Sequence, residues 1–286
     1  MMVNPFDIEA KPSKLTWAML SWVLFALGIG LYFQESIKRH RENPEDRVVP
    51  TLAQLAQGIH NAFLNPAEED DDTSIEQMNS WQRIRRSMIW KDTAASGQRF
   101  LISLLLLVPA VLLGLHIGLF PYVGALFTRF VLFFDKIIAL SVLPILFIAF
   151  GIDELSKIML MVIGVAPTII LDTCDLAKGV PREQIVKGFT LGAGSGAVAY
   201  RIVLKQIMPR VLNAIRLNLK PLMLFLFAGE MIASTDGLAY RIALLRRHMG
   251  MDVIIPYVLW VALLLFLIDW ALRLLNQVWH PWFKET

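Results

Sequence analysis

Ionisable side chains stand at several points inside long apolar runs of this sequence. Charge in lipid is costly, so each such residue is a candidate for function. Glu230 ends one long apolar run, and Asp135 and Lys136 interrupt another. A carboxylate there can line a path for a solute or bond to a neighbouring helix, which is the commoner use. Glu230, Asp135 and the helix-kinking Pro144 are the candidates for a path. Because sequence neighbours do not face each other along one helix, Asp135 and Lys136 are each expected to have a partner elsewhere, or Lys136 to extend its ammonium to the membrane interface.

Other residue combinations argue against catalysis and metal binding. Asp172 and Asp175 share a helical face, but no His or third acid lies nearby to complete a metal site. A lone His116 and a lone Cys174 are typical of packing residues. The glycines of residues 192–196 lack the G-x4-G-K-[ST] spacing of a phosphate-binding loop. The sequence therefore predicts no catalytic residue and no metal site.

The composition of the chain indicates that membrane-spanning helices carry these residues. The chain has 286 residues, 56% of them hydrophobic, a net charge of +3 and a mean hydropathy of +0.56. It is too apolar for an ordinary soluble domain, and its charge does not argue for nucleic acid. Long apolar blocks indicate helices, which satisfy their own backbone in lipid. The sequence predicts an all-α, polytopic membrane protein with six transmembrane helices: Leu15–Phe33, Phe100–Tyr122, Phe130–Phe150, Ile158–Ala177, Leu217–Ala233 and Val253–Leu272.

The chain divides into four predicted segments: a cytoplasmic tail (1–14), the first transmembrane helix (15–33), a periplasmic segment (34–97) and a membrane core (98–286). Within the periplasmic segment, Trp81–Trp90 combines Trp with Arg. That pattern indicates a helix lying at the membrane interface, or equally an amphipathic helix packed on the protein. The acidic run Glu68–Asp72 is typical of a solvated loop.

A basic loop between the later spans, residues 178–216, sets the predicted orientation. From Asp172 to Lys220 the chain carries eight Lys or Arg residues, within a length for which the positive-inside rule counts. The rule places this loop and both termini in the cytoplasm. A basic cluster at Lys38, Arg39 and Arg41 opposes that orientation, and the longer loop is given more weight.

Glycines divide the basic loop. Gly192, Gly194 and Gly196 predict a turn between two short helices, and Pro209 is expected to interrupt the stretch farther on. This loop resembles the cytoplasmic loop of the integral-membrane permeases of bacterial ABC importers, of the nitrate, sulfonate and taurine type. Their pattern is E-A-A-x3-G-x9-I-x-L-P.

Gly192 takes the place of the glycine in that pattern, and Ile202-Val203-Leu204 follows at the I-x-L positions. Pro209 matches a second proline often found in that subfamily. The chain departs from the pattern at its head, where Val186, Lys187 and Gly188 stand at the E-A-A positions. Lys205 replaces the first proline, so only the glycine and the I-x-L part match.

Two more segments extend the resemblance over about residues 95–285. Leu143–Phe147 and Gly151–Lys157 look like the third span and outer turn of the family, and Glu230–Tyr240 looks like its E-x6-G-L-G-Y segment, with Ala239 where a glycine is usual. The resemblance implies a permease of the bacterial inner membrane, a transport subunit and not an enzyme, that works as a homodimer by alternating access. It also implies that ATP and Mg²⁺ bind separate ABC ATPase subunits, so that this chain has no cofactor, and that an extracytoplasmic binding protein delivers the solute.

The resemblance assigns ATPase coupling to the basic loop. A short helix projecting from the membrane would fit a groove of the ATPase and move when two ATPase subunits close on ATP. The candidate coupling residues are Gly188, Leu191, Gly192, Ala193, Gly194, Arg201, Ile202, Leu204, Lys205 and Pro209. From the residues alone, a basic loop that only sets topology and meets lipid headgroups explains the stretch equally well.

The solute stays open at this stage. The resemblance allows nitrate, taurine or other sulfonates, whereas the acids Glu230, Asp172 and Asp175 favour a cationic or neutral nitrogen compound such as guanidine or urea. One alternative class is a secondary transporter coupled to ions through Glu230, which would predict an inverted repeat, and none is evident. Another is a membrane anchor or assembly protein with no transport path.

Overall fold

The computed structural model describes residues 14–42, 48–64, 87–247 and 250–283. Within these ranges every regular element is a helix, which confirms the all-α prediction. The helices are α1 (Lys14–Glu42), α2 (Leu52–Leu64), α3 (Met88–Leu106), α4 (Val108–Leu119), α5 (Pro121–Asp135), α6 (Ala139–Phe150), α7 (Glu154–Lys178), α8 (Arg182–Thr190), α9 (Ser195–Ala197), a π-helical turn (Val198–Val203), α10 (Leu204–Leu217), α11 (Leu219–Ala233), α12 (Leu238–Arg247) and α13 (Met251–Trp279). The acidic run Glu68–Asp72, residues 1–13 of the tail and residues 81–86 of the predicted interfacial helix lie outside the described residues.

Helix α7 lies at the centre of the described bundle, where it contacts α3, α4, α5, α6, α10 and α11. Two glycines bring α4 against it at backbone distance. A β-carbon on Gly114 would lie 2.5 Å from the carbonyl oxygen of Ile170, and one on Gly118 would lie 2.8 Å from the β-carbon of Ala177. Because only glycine permits this approach, α4 and α7 form a tightly packed pair.

Within the part of the chain that the structure describes, five stretches are long and apolar enough to cross a membrane: Met19–Arg41, Met88–Leu119, Glu154–Lys178, Ser195–Ala233 and Met251–Trp279. Three predicted spans, Ile158–Ala177, Leu217–Ala233 and Val253–Leu272, fall within these stretches. The predicted first span, Leu15–Phe33, falls within α1. The predicted second span, Phe100–Tyr122, is misplaced at both ends, because its helix begins at Met88 and the chain turns at Phe120. The break between α3 and α4 carries Pro109 in the first turn of α4, which suits the missing N–H of proline.

The predicted third span, Phe130–Phe150, is wrong as a single helix. Helix α5 ends at Asp135 and α6 begins at Ala139, and the two axes meet at 98°. No proline or glycine stands in the break, whereas Pro144 lies inside α6 without ending it. The pair still counts as one crossing. Helices α3–α4 and α7 run parallel, with Ser103 bonded to Met161 at one end and Gly118 on Ala177 at the other, so α5 and α6 must return the chain across the bundle.

Polar contacts of Asp135 accompany this break. Lys136 Nζ lies 2.9 Å from Asp135 Oδ2, and Thr168 of α7 donates a hydrogen bond of 3.1 Å to Asp135 Oδ1. Asp135 has the separate partner that was expected, in Thr168, but the expectation that Asp135 and Lys136 do not face each other is wrong. It assumed a continuous helix, and Lys136 has left the helix that Asp135 ends.

The two ends of the bundle differ in their contacts. At the basic-loop end, where α4, α7 and α13 finish, Asn276 Nδ2 of α13 donates a 3.1 Å hydrogen bond to the carbonyl of Pro209. Pro209 lies inside α10, so the expectation that it interrupts the stretch is wrong. At the opposite end, where α3, α7 and α13 begin, α2 packs on α13 and α3, and α12 packs on α3, α11 and α13.

Candidate coupling site and buried ion network

The glycine turn of the basic loop ends α8 in a defined geometry. The Ala193 N–H donates to the Gly188 carbonyl at 3.0 Å, and the Gly192 N–H donates to the Phe189 carbonyl at 2.9 Å. Gly192 has a φ of 81°, in the left-handed region. This pair of bonds around a left-handed glycine is a Schellman motif, which fixes the direction in which the chain leaves the helix.

Gly188 brings α8 against the π-helical turn. A β-carbon at this position would lie 2.7 Å from Ile202 Cδ1 and 3.2 Å from Val198 Cγ2. Val198 and Val203 are buried beneath the contact. The two short helical pieces therefore pack on each other at a position without a side chain, and the buried valines beneath them belong to the main hydrophobic core of the bundle.

Apolar side chains point away from this core. Val186 and Phe189, three residues apart on α8, are 49% and 48% exposed, and Leu191 in the turn is 87% exposed. Residues three apart share a helix face. A group of exposed apolar side chains in a segment otherwise rich in charge is typical of a protein-binding surface. We call Val186, Phe189 and Leu191 the apolar edge of the loop.

The predicted coupling residues divide by exposure. The exposed ones are Leu191, Gly192, Gly194, Arg201 and Lys205, and the buried or partly buried ones are Gly188, Ala193, Ile202, Leu204 and Pro209. The structure brings the turn residues and Ile202 together. Pro209 lies apart from the turn, against α13.

Sequence reasoning missed Val186 and Phe189, and it did not connect His116 with the loop. Tyr200 in the π-helical turn contacts His116 of α4, with 3.0 Å between Tyr200 Oη and His116 Nε2. The apolar residues of α8 were discoverable, because Val and Phe stand out in the charged run REQIVKGFT. The His116 contact has no sequence signal, since it spans 84 positions.

Glu230 lies in a buried ion network near the opposite end of the bundle. Its side chain is fully buried. One carboxylate oxygen accepts hydrogen bonds from Ser96 Oγ at 2.6 Å and from Arg99 Nη1 at 2.7 Å. The other accepts from the Ala239 N–H at 3.0 Å. Glu230 thus binds α11 to α3 and to the start of α12, as a buried carboxylate requires.

Arg99 joins three acidic side chains. Besides Glu230, it pairs with Glu154 at the start of α7 and with Asp236 in the turn before α12. Glu154 also pairs with the buried Lys157, whose ammonium lies 2.7 Å away and reaches Ser234 at 2.8 Å. The guanidinium fork of Arg99 therefore ties α3, α7 and α11 at one point.

The backbone of Gly237 packs directly against the Glu230 carboxylate. It has a φ of 118°, and a β-carbon there would lie 2.6 Å from the Glu230 carboxylate carbon. Its N–H donates to Asp92, a fully buried residue that also accepts from Arg241 at 2.9 Å and from Tyr257 at 3.0 Å. Burial disfavours the charged form of Arg241, but the Asp92 carboxylate outweighs burial and raises the pKa of Arg241 above its usual value.

The candidates for a solute path do not meet in one place. Glu230 is enclosed and fully hydrogen-bonded, Asp135 bonds to Thr168 and Lys136, and Pro144 is exposed on α6. No hydrogen bond among the described residues joins Asp135 to the Glu230 network. Arg99 was missed because the predicted span began one residue later, at Phe100, where the apolar run starts.

Comparison with known proteins fits this architecture. The sequence profile of the family described as "Binding-protein-dependent transport system inner membrane component" matches residues 99–280, more than half of the chain. The matched region begins at Arg99 and contains both the basic loop and Glu230.

Individual relatives agree with that match. The taurine transport system permease protein TauC of Escherichia coli is 28% identical over 199 residues, covering 69% of this chain and 72% of TauC. A putative ABC transporter permease of Methanocaldococcus jannaschii is 28% identical over 283 residues, covering 99% of this chain and 95% of the relative. The putative aliphatic sulfonates transport permease SsuC of Escherichia coli is 26% identical over 143 residues, covering 50% of this chain and 54% of SsuC.

A solved structure has the same fold. A chain of the methionine ABC transporter MetNI superposes with a TM-score of 0.54 at 19% sequence identity, over 70% of this chain and 96% of that chain. Several helices long enough to span a membrane agree with it. The chain therefore belongs to the binding-protein-dependent transport system inner membrane components, the membrane-spanning permease subunits of ABC importers.

Proposed function

We propose that this permease docks ABC ATPase subunits through the apolar edge of its basic loop and imports a small sulfonate such as taurine. The observation that carries the docking proposal is the Schellman-capped turn after α8. It holds Leu191 outward, 87% exposed, on a helix pair whose buried valines join the main hydrophobic core. A rigid projection with an apolar tip suits insertion into a groove.

Positive charges near the glycine turn also suit docking on an ATPase. Arg201 and Lys205 are exposed one helical turn apart, and neither pairs with an acid among the described residues. An acidic rim on the ATPase groove would meet them. A loop that served only to set topology would need these charges but would not need exposed Val186, Phe189 and Leu191.

The solute proposal rests on relatives and on the Glu230 network. TauC is named for taurine and SsuC for aliphatic sulfonates. The argument for a cationic solute used the negative charge of Glu230, and Arg99 and Ser96 already occupy that carboxylate. Only Asp172 and Asp175 still favour guanidine or urea, so a sulfonate is the better candidate.

The same network argues against the secondary transporter. An ion-coupled carboxylate must exchange its ion with solvent during each cycle. Glu230 has no exposed side-chain surface, and its oxygens accept three hydrogen bonds. We therefore propose alternating access driven by ATP bound on other chains, with a second permease copy and an extracytoplasmic solute-binding protein as partners.

Association with the ATPase tests the docking proposal. The tagged chain is purified from native membranes and the copurifying proteins are identified by mass spectrometry. We expect an ABC ATPase, and we expect Leu191→Asp to lower its recovery at least tenfold without changing the melting temperature of the permease. Ile152→Asp is the matched control, because Ile152 is also exposed, at 69%, but lies at the opposite end of the bundle.

Two outcomes would overturn parts of the proposal. Equal ATPase recovery with Leu191→Asp and Ile152→Asp would show that the apolar edge is not the docking surface. The solute is tested in liposomes containing the permease, its ATPase and its binding protein, supplied with labelled taurine. No ATP-dependent uptake of labelled taurine, together with ATP-dependent uptake of labelled guanidine in the same liposomes, would replace the sulfonate with a nitrogen compound.

A further inference from the structure

The π-helical turn Val198–Val203 interrupts the helix that leads from the glycine turn into α10. Its last hydrogen bond runs from the Leu204 N–H to the carbonyl of Ala199, five residues back. The turn contains no proline or glycine that would impose the distortion. One extra residue in a turn rotates the following side chains by about 100°, and such turns are frequent at functional sites.

Tyr200 of this turn reaches out of the loop to α4. His116 Nδ1 lies 2.6 Å from the carbonyl oxygen of Leu112, so this nitrogen carries the proton. His116 Nε2 is then the acceptor, and the Tyr200 hydroxyl donates to it at 3.0 Å. The imidazole is also stacked on Phe120, with the ring centroids 5.6 Å apart. Both the tautomer and the ring plane of His116 are thus fixed for this bond.

The contact joins parts that the backbone does not join. Helix α7 runs directly into the loop before α8, and α10 runs directly out of it into α11. Helix α4 has no such connection. Among the described residues, the Tyr200–His116 bond is the one hydrogen bond between α4 and the basic loop, and α4 in turn is packed on α7 through Gly114 and Gly118.

We propose that Tyr200 and His116 form a direct joint by which movement of the basic loop is passed to α4, beside the indirect route through the packing of α4 on α7. This inference rests on the proposed docking of the loop on the ATPase. When the ATPase moves α8, Gly188 presses on Ile202 and Val198 of the π-helical turn, and Tyr200 carries that movement to His116. Both are positioning residues, and neither contacts solute or nucleotide.

Reporter cysteines test the joint in the complex of the full chain with its ATPase in lipid nanodiscs. The single native Cys174 is replaced by alanine. An environment-sensitive fluorophore is attached either at Val108→Cys on α4 or at Leu217→Cys at the end of α10, which are 51% and 68% exposed. The signal is the emission change on adding ATP and vanadate, which trap the closed ATPase.

We expect Tyr200→Phe and His116→Ala each to reduce the response at position 108 about threefold or more, the effect of one neutral hydrogen bond. The response at position 217 should persist, because the backbone connects it to the loop. The emission change at position 108 in the double variant should be no smaller than in the single variant with the smaller change, since the two substitutions remove the same bond. Tyr122→Phe is the control, because Tyr122 is 93% exposed and lies two residues after Phe120.

An unchanged response at position 108 in Tyr200→Phe would overturn the joint while the docking proposal stands. Tyr200→Phe removes one hydroxyl from a side chain that is 43% exposed, so this variant is expected to fold. Failure of the ATPase to bind the unaltered chain would instead overturn the proposed function, and the joint with it.

Discussion

The position of Arg99 determines how the buried Glu230 carboxylate is interpreted. A carboxylate in a membrane span suggests a path or a proton relay when it is considered alone. With the Arg99 guanidinium 2.7 Å away, Glu230 is one half of a buried ion pair. Such a pair stabilises little relative to apolar side chains of equal volume, but removal of one partner leaves an uncompensated buried charge.

Replacement of Arg99 by methionine is therefore expected to destabilise the permease by about 3–5 kcal/mol. Met keeps an unbranched apolar stem and removes the charged guanidinium group. Glu230 would stay buried without its cation, whereas Glu154 and Asp236 are partly exposed and can be hydrated. Chemical unfolding in detergent measures the change, and a second substitution, Glu230→Gln, should recover part of the loss.

The control for this variant is Arg273→Met. Arg273 pairs with Asp269 at 3.2 Å, but its side chain is 49% exposed, and pairs of this kind contribute at most about 1 kcal/mol. Equal loss of stability in Arg99→Met and Arg273→Met would contradict the buried network. So would an additive effect of Glu230→Gln in the Arg99→Met background.

The sequence identified Glu230 but not its partner, for a physical reason. Hydropathy marks a charge inside an apolar run, and Glu230 is such a charge. Arg99 precedes its apolar run and looks like an interfacial residue, although its side chain is only 5% exposed. The two are separated by 131 positions, and only the packing of α3 against α11 brings them together.

The break between α5 and α6 likewise has no local signal in the sequence. A hydropathy window sees Phe130–Phe150 as one apolar block, because Ile137 and Ile138 in the break are as apolar as the helices beside it. The polar contact that accompanies the break comes from elsewhere in the sequence, because Thr168 of α7 donates a hydrogen bond to Asp135. Four of the other spans were predictable, since their continuous apolar blocks are a local signal, whereas the second span, Phe100–Tyr122, was misplaced at both ends.

Helix α8 depends on an equally specific contact, which Gly188→Leu should disrupt. The new side chain would start 2.7 Å from Ile202 Cδ1 and push α8 off the π-helical turn. Overpacking of this kind costs about 1–3 kcal/mol, which corresponds to a roughly five- to 160-fold larger equilibrium constant for local opening and equally faster hydrogen exchange. Hydrogen exchange of peptides covering residues 195–210 measures it.

Gly196→Leu is the matched substitution for that experiment. Gly196 lies in α9, and a β-carbon there would meet nothing within 4 Å. We expect its exchange rates to stay within about twofold of the unaltered chain, because the new side chain projects into open space. If residues 195–210 exchange as slowly in Gly188→Leu as in Gly196→Leu, α8 does not pack on the π-helical turn.

At the scale of the whole molecule, the two ends of the bundle have different chemistry. The opposite end is held by buried charges, among them Arg99, Glu230 and Asp92. The basic-loop end carries an exposed apolar edge and exposed cations. In a permease driven from the cytoplasm, the fixed end suits the outer side and the exposed end suits the ATPase side.

Orientation is the prediction that follows from this difference, and cysteine labelling decides it. In the Cys174→Ala background, Ser195→Cys lies in the exposed basic loop and Ile152→Cys lies in the turn before α7, at the opposite end. A membrane-impermeant maleimide added to intact cells should label position 152 and should label position 195 only after permeabilisation. The eight cations between Asp172 and Lys220 favour this result, and Lys38, Arg39 and Arg41 favour the reverse. Labelling of position 195 from outside would place the basic loop away from ATP and contradict its docking on an ATPase.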